Sequence, residues 1–190
     1  MSATALPRFL GLSTGRAGSR YFAGLMNKAG VKTLHEQQAD LKHWSGDGAI
    51  GEVSAWFVSQ LDDAPDTTQI WHFSRHPQPC VASNMAFGFW DRRNKSMHPF
   101  LRKTGDRIVD SFLFWVDWNK RILAVPSSRR RTFQIEAVTR ELIEELSHSV
   151  GIECNAEKVD PCWNEKQVFT AIPEEVESEV FEMMGVLGYA

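Results

Sequence analysis

Apolar residues along the chain fall into two alternating kinds of segment, short continuous runs and longer helical stripes. Arg8 to Ser13 is a mostly apolar run that stops at Thr14 and Gly15, which predicts a buried strand. After a Gly-rich turn, Phe22, Leu25, Met26 and Ala29 share one helical face, and Gly30 follows as a natural helix terminator. Val31 to Leu34 predicts a second short strand, ending at His35 and Glu36. Residues 37–50 are polar and predict loop, and 51–61 fit a helix with Val53, Trp56, Phe57 and Leu61 inside. Thr68 to Phe73 predicts a third strand, and Pro77 opens a helix running to about Trp90.

The second half repeats the theme. Residues 91–103 are basic and broken by Pro99, which predicts a loop or lid. A long helix is predicted from about Asp106 to Leu123, with Val109, Phe112, Leu113 and Val116 at helical spacing; Pro126 lies just beyond its end. Arg131 to Ala137 predicts a fourth strand, Arg140 to Val150 a helix ended by Gly151, and Pro173 the start of a last helix to about Leu187. Strand–helix alternation of this kind predicts an α/β protein of three layers, a parallel sheet flanked by helices on both faces. Ligands in such folds sit at the carboxyl ends of the strands.

Composition narrows the class. The 190 residues suit a single domain, and a chain of that size buries roughly 70% of its unfolded surface without metal or disulfide staples. An apolar content of 43% excludes disorder, and no apolar run approaches the roughly 18 residues of a membrane span. The first twelve residues lack the long apolar stretch of a signal peptide, so a cytoplasmic location is expected. Cys80, Cys154 and Cys162 are odd in number and lack CxxC spacing, which argues against a disulfide framework or a metal site. A net charge of −3 argues against a nucleic-acid partner. The charge is uneven, however: residues 151–190 hold nine acids and two lysines, which leaves a mildly basic body suited to an anionic ligand.

The chemistry begins at Thr14, Gly15, Arg16, Ala17, Gly18, Ser19 and Arg20. A strand, a Gly-rich loop and a helix in that order present backbone N–H groups at a helix N-terminus, which attracts anions. A Mg²⁺-dependent nucleotide loop would have Gly-Lys-Ser/Thr; here Gly18 is followed by Ser19, with Arg16 as the nearest preceding cation. Among enzymes this argues against a nucleotide or nucleoside kinase. An ordinary turn, or a non-catalytic nucleotide-binding module, remains as the alternative.

The loop resembles the 5′-phosphosulfate loop of the sulfotransferase family, which binds PAPS (3′-phosphoadenosine 5′-phosphosulfate). Arg16 takes the position of the cation, Gly18 of the glycine and Ser19 of the hydroxyl; Ala17 replaces a small Ser or Gly, and Arg20 stands where many members have Thr. A second motif lies in register downstream. The family's 3′-phosphate element has an Arg at a strand end, a Pro two residues on and a Ser eight residues on, and Arg75, Pro77 and Ser83 match it. Trp115 with Asn119, and the strand near Phe133 to Val138, are similar to further family elements. The resemblance covers about residues 8–152.

It implies a P-loop-type fold with PAPS as cofactor and no metal, and transfer to an acceptor hydroxyl on a glycan, a peptide tyrosine or a small molecule. Thr14 to Arg20, with Arg75 and Ser83, would bind PAPS, and Arg16 would stabilise developing charge. The catalytic base would stand at the end of the second strand, where His35 and Glu36 both qualify. Glu36 follows Arg16 by twenty residues, like the Glu of the glycan and tyrosylprotein branches; His35 fits the small-molecule branch. The basic run Arg129 to Arg131 is expected on a solvated face away from the site, whereas Arg92, Arg93, Lys95, Arg102 and Lys103 could line an acceptor cleft.

Overall fold

The computed structural model describes residues 6–38, 40–45, 48–87, 102–163 and 168–189. Its centre is a parallel sheet of five strands: β1 (Phe9–Leu12), β2 (Thr33–His35), β3 (Gly51–Val53), β4 (Gln69–Ser74) and β5 (Arg130–Gln134), in the order β2-β3-β1-β4-β5. The described helices are α1 (Ser19–Lys28), α2 (Pro77–Ala86), α3 (Arg107–Leu123), α4 (Arg140–Ser149) and α5 (Glu177–Val186).

Side-chain alternation along the strands divides the core. Phe9, Val53, Trp71 and Phe73 point to the face covered by Phe22, Leu25 and Met26 of α1 and by Ile143 and Leu146 of α4. Leu10, Leu12 and Ile70 point to the other face, against Phe57, Val58 and Leu61 and against Phe114, Trp118 and Ile122 of α3. A third cluster joins Ala17, Cys80 and Val81 to Trp115 and Val116 of α3 and to Val180 and Met183 of α5.

The strand count corrects the sequence reading. Residues 51–61 do not form one helix: Gly51–Val53 is β3, paired to β1 and β2, and Trp56–Asp63 is 3₁₀ with a kink at Gln60. The reason lies in Gly51. A Cβ there would meet the Phe9 ring and the Phe9 carbonyl at 2.5–2.6 Å, so only glycine lets this segment lie flush against β1. Three further boundaries shift. Residues 41–43, read as loop, make a 3₁₀ turn; β5 ends at Gln134 and gives way to a 3₁₀ turn over Ile135–Ala137; and 3₁₀ residues Glu174–Val176 precede α5. The helix after Pro77 ends at Ala86, and the rest of the predicted helix and most of the basic loop lie outside the described residues.

The topology sets the site. From β1 the chain goes by α1 to β2 at one edge; from β4 it goes by α2 and α3 to β5 at the other. The connections diverge between β1 and β4, and a crevice opens outside their carboxyl ends.

Candidate active site

β1 ends at Leu12, and the chain turns through residues 13–18 into α1. Arg16 has φ +66° and Gly18 φ +90°. At Gly18 the left-handed backbone favours glycine, and a Cβ would also stand 2.8 Å from the Trp163 ring. No side chain caps the first turn of α1, so its N-terminus faces the crevice with only its dipole and backbone N–H groups. Thr14 and Ala17 are buried beneath the loop, off the cavity wall. The Thr14 hydroxyl lies 3.4 Å from the Cys80 sulfur, and the Cys80 thiol reaches the Gly15 carbonyl at 3.4 Å. Burial pushes that thiol up to about 11, so it acts as packing.

A cavity of about 570 Å³ opens over the loop. Gly15, Arg16, Gly18, Ser19 and Arg20 form one side; His35 and Glu36 face them from the end of β2, and Ser83 faces them from α2. Arg16 joins two of these elements: its Nε donates to the Ser83 hydroxyl at 3.2 Å, and its guanidinium carbon stands 4.6 Å from the centre of the Phe87 ring. Neither Arg16 nor Arg20 makes a salt bridge among the described residues.

Arg75 sits behind the loop. It is 2% exposed, does not line the cavity, and donates from Nη1 to the Arg16 carbonyl at 3.0 Å, with its guanidinium carbon 5.4 Å from the Trp163 ring centre. The Trp115 indole N–H donates to the Arg75 carbonyl at 3.0 Å, and the Asn119 amide N–H to the Trp115 carbonyl at 2.7 Å. The Trp115–Asn119 spacing on α3 therefore fixes the turn after β4. Asn119 Oδ1 also accepts from His72 Nε2 at 2.8 Å; burial lowers the His72 pKa to about 4, so this is a neutral core histidine.

His35 and Glu36 differ sharply although adjacent. His35 Nε2 lies 2.9 Å from the Ser19 hydroxyl. Burial holds its imidazole below the usual pKa, with the Glu36 charge opposing and the Arg20 charge adding to the shift, so the ring is neutral near pH 7. Glu36 is exposed and has φ +50°, a left-handed conformation that costs a non-glycine residue roughly 1–3 kcal/mol. Arg16 and Glu36 are the only non-glycine residues with positive φ among those described, and both line this cavity.

Several cavity residues carry no signal in the sequence pattern. Tyr21, Ala55, Phe87, Cys162 and Trp163 also line it. Trp163 comes from the stretch between Gly151 and Pro173, where the sequence predicts no helix or strand, and its ring stacks edge-on to Tyr21 with centres 5.0 Å apart. Of the basic loop, Arg92, Arg93 and Lys95 lie outside the described residues. Arg102 does not serve the cavity: it forms a two-pronged pair with Asp117 on α3 and a third contact to Glu179 on α5. Among the described residues, no group of three or more His, Cys, Asp or Glu could hold a metal ion, and no helix is long and apolar enough to cross a membrane.

No family model matches the sequence. No curated protein matches it either. The fold, by contrast, has clear likenesses. The sulfotransferase domain from the curacin biosynthetic pathway superposes with a TM-score of 0.68 at 9% identity, over 99% of each chain. The sulfotransferase domain of the Synechococcus PCC 7002 olefin synthase gives 0.62 at 11% identity, over 97% of this chain and 95% of that one. A sulfotransferase from Alicyclobacillus acidocaldarius gives 0.50 at 14%, over 97% and 96%. The class that topology and neighbours define is the P-loop-type α/β fold. Within that class, the chain has the fold of bacterial sulfotransferase domains.

Proposed function

We propose that this protein is a sulfotransferase that uses PAPS and acts on an acceptor hydroxyl. The observation that carries the reading is one cavity, at the carboxyl ends of β1 and β2, lined by an arginine that forms no salt bridge among the described residues, an uncapped helix start and an exposed carboxylate. The residues fit the cofactor. The backbone of Gly18 and Ser19 with the Arg16 guanidinium forms a positive cradle for the 5′-phosphosulfate. Ser83 and Arg75 would hold the 3′-phosphate, with the Trp163 ring moving off Arg75 to admit it. Bound PAPS supplies the sulfuryl group.

The chain's own residues do the rest. Arg16 and the loop N–H groups oppose negative charge that develops on the oxygens nearby, with little reorganisation because the loop backbone already holds them. Arg75 keeps the loop in that shape through the Arg16 carbonyl. Glu36 stands across the cavity and takes the acceptor proton. His35 is engaged with Ser19, so in this reading it orients the loop hydroxyl and leaves the proton transfer to Glu36. The acceptor carries a hydroxyl, on a glycan, a peptide tyrosine or a small molecule.

Calorimetric titration with the desulfated product PAP against ADP tests the cofactor. The expected result is a PAP dissociation constant on the order of micromolar, about −8 kcal/mol, with ADP binding at least tenfold weaker. Equal affinities, or binding of ADP alone, would overturn the assignment of the 3′-phosphate contacts.

A further inference from the structure

Glu52 lies in the middle of β3, opposite Leu10 of β1 and Leu34 of β2, and is 0% exposed. Carboxylates are almost never buried this fully without partners. Its partners are backbone groups: Oε1 accepts from the N–H of Gln37 at 2.8 Å and of Gln38 at 3.1 Å. These two residues directly follow Glu36. The Glu36 N–H in turn donates to the Val53 carbonyl at 3.2 Å. Consecutive residues of one strand therefore hold the strained residue from both sides, Val53 at its own amide and Glu52 at the two amides after it. Burial pushes the Glu52 carboxyl above its usual range and the Glu36 charge adds to that, while the N–H groups of Gln38 and Gln37 and the Trp44 indole act against it. A buried acid that brings this cost, and whose well-formed hydrogen bonds among the described residues go to the backbone at 37–38, is poorly explained as core filling.

We propose that Glu52 is a positioning residue: it clamps the bend over 36–38 and thereby aims the Glu36 carboxylate into the cavity. The proposal rests on the reading of Glu36 as the base. It distinguishes Glu52 from an ordinary structural acid, because its loss disturbs the acceptor proton transfer and leaves cofactor binding in place. The amide oxygen of a glutamine can accept the same two N–H groups, whereas alanine cannot.

The test compares E52A and E52Q with the wild type. In E52A, kcat should fall about 10- to 100-fold, the effect of a catalytic group displaced by about an ångström. PAP affinity and acceptor KM should stay within about threefold, because neither the loop nor Ser83 is touched. E52Q should recover most of the lost kcat. Amide hydrogen exchange at Gln37 and Gln38 should quicken in E52A and stay slow in E52Q. Unchanged kcat in E52A overturns the proposal, as does a loss that E52Q fails to restore. If E52A does not fold, E52D, which draws the carboxylate back by one methylene, should show the same separation of kcat from PAP affinity, and an E52D indistinguishable from wild type overturns it. Should the wild type sulfate no acceptor, it is the functional reading that fails; fast exchange at Gln37 and Gln38 then still supports the clamp, and unchanged exchange removes it.

Discussion

Arg16 at the carboxyl ends of the sheet and the arginine run at its amino ends are in opposite states. At the amino ends, Arg129 donates to the Pro65 carbonyl at 2.9 Å and pairs with Asp66 at 3.1 Å, Arg130 donates to the Leu123 and Val125 carbonyls, and Arg131 pairs with Glu145 at 2.9 Å. All three are absorbed by the fold. At the carboxyl ends, the Arg16 side chain touches a serine hydroxyl and an aromatic face among the described residues, and its backbone is strained. A guanidinium bonded to carbonyls and carboxylates locks a turn. One held in a left-handed loop, with no salt bridge among the described residues, offers its charge to something else. A count of basic residues does not separate the two; their partners do.

The largest expected effect breaks the comparison at its active end. Arg16→Ala should lower sulfuryl transfer about 10²- to 10³-fold, the loss typical of one preorganised charge-stabilising group, while the urea midpoint stays near wild type. Steady-state kinetics with radiolabelled PAPS, alongside urea melts, read both quantities. A large loss of stability with little loss of turnover would make Arg16 a structural arginine like Arg129.

Next in size is an effect of pH on the core rather than the cavity. The folded-state pKa of His72 is about 4, well below the usual 6.5. Below pH 6.5 the unfolded chain binds a proton that the folded chain refuses, so stability is fully present above pH 6.5 and is lost as pH falls toward 4. The full difference amounts to about 3 kcal/mol. Urea melts from pH 7 to pH 4.5 should show the decline, and His72→Gln should flatten it. Equal slopes in both proteins would assign the decline to other groups.

The smallest effect mirrors the first. Arg129→Ala should cost about 1–3 kcal/mol of stability, because it removes the side-chain donor to the Thr68 carbonyl and one of the two donors to the Pro65 carbonyl, and should leave turnover within about twofold. A drop in turnover comparable to that of Arg16→Ala would erase the distinction between the two ends.

Much of the fold was legible because its strands are short apolar runs set between helical stripes. β1, α1 and β2 follow from Phe9 to Leu12, from Phe22, Leu25 and Met26, and from the run before His35. β3 was hidden for a physical reason: three residues are too few to show a period of two, and Val53, Trp56 and Phe57 imitate a helical face. Misreading it also hid Glu52, whose meaning depends on β3 lying beside β2. The loop, His35 and Glu36 could be named from their places at strand ends, which converge in a parallel sheet, and Ser83 through the resemblance of its motif to the family's 3′-phosphate element. Arg75 could be named too, but its place behind the loop could not, because that depends on the path of Trp163. No local pattern ties Trp163 or Phe87 to Gly18 or Arg16; only tertiary contact does.

The account turns on Glu36 as the group that takes the acceptor proton. The most direct measurement is sulfuryl transfer from radiolabelled PAPS to a panel of glycans, tyrosine peptides and phenols by wild type, Glu36→Gln and His35→Ala, with PAP affinity measured on each protein. Glu36→Gln keeps the side chain's shape and removes its basicity, so turnover should fall about 10²- to 10⁴-fold while PAP affinity stays within about threefold. His35→Ala should lose less. Near-wild-type turnover in Glu36→Gln, together with a collapse in His35→Ala, would contradict the account and move the base one residue upstream.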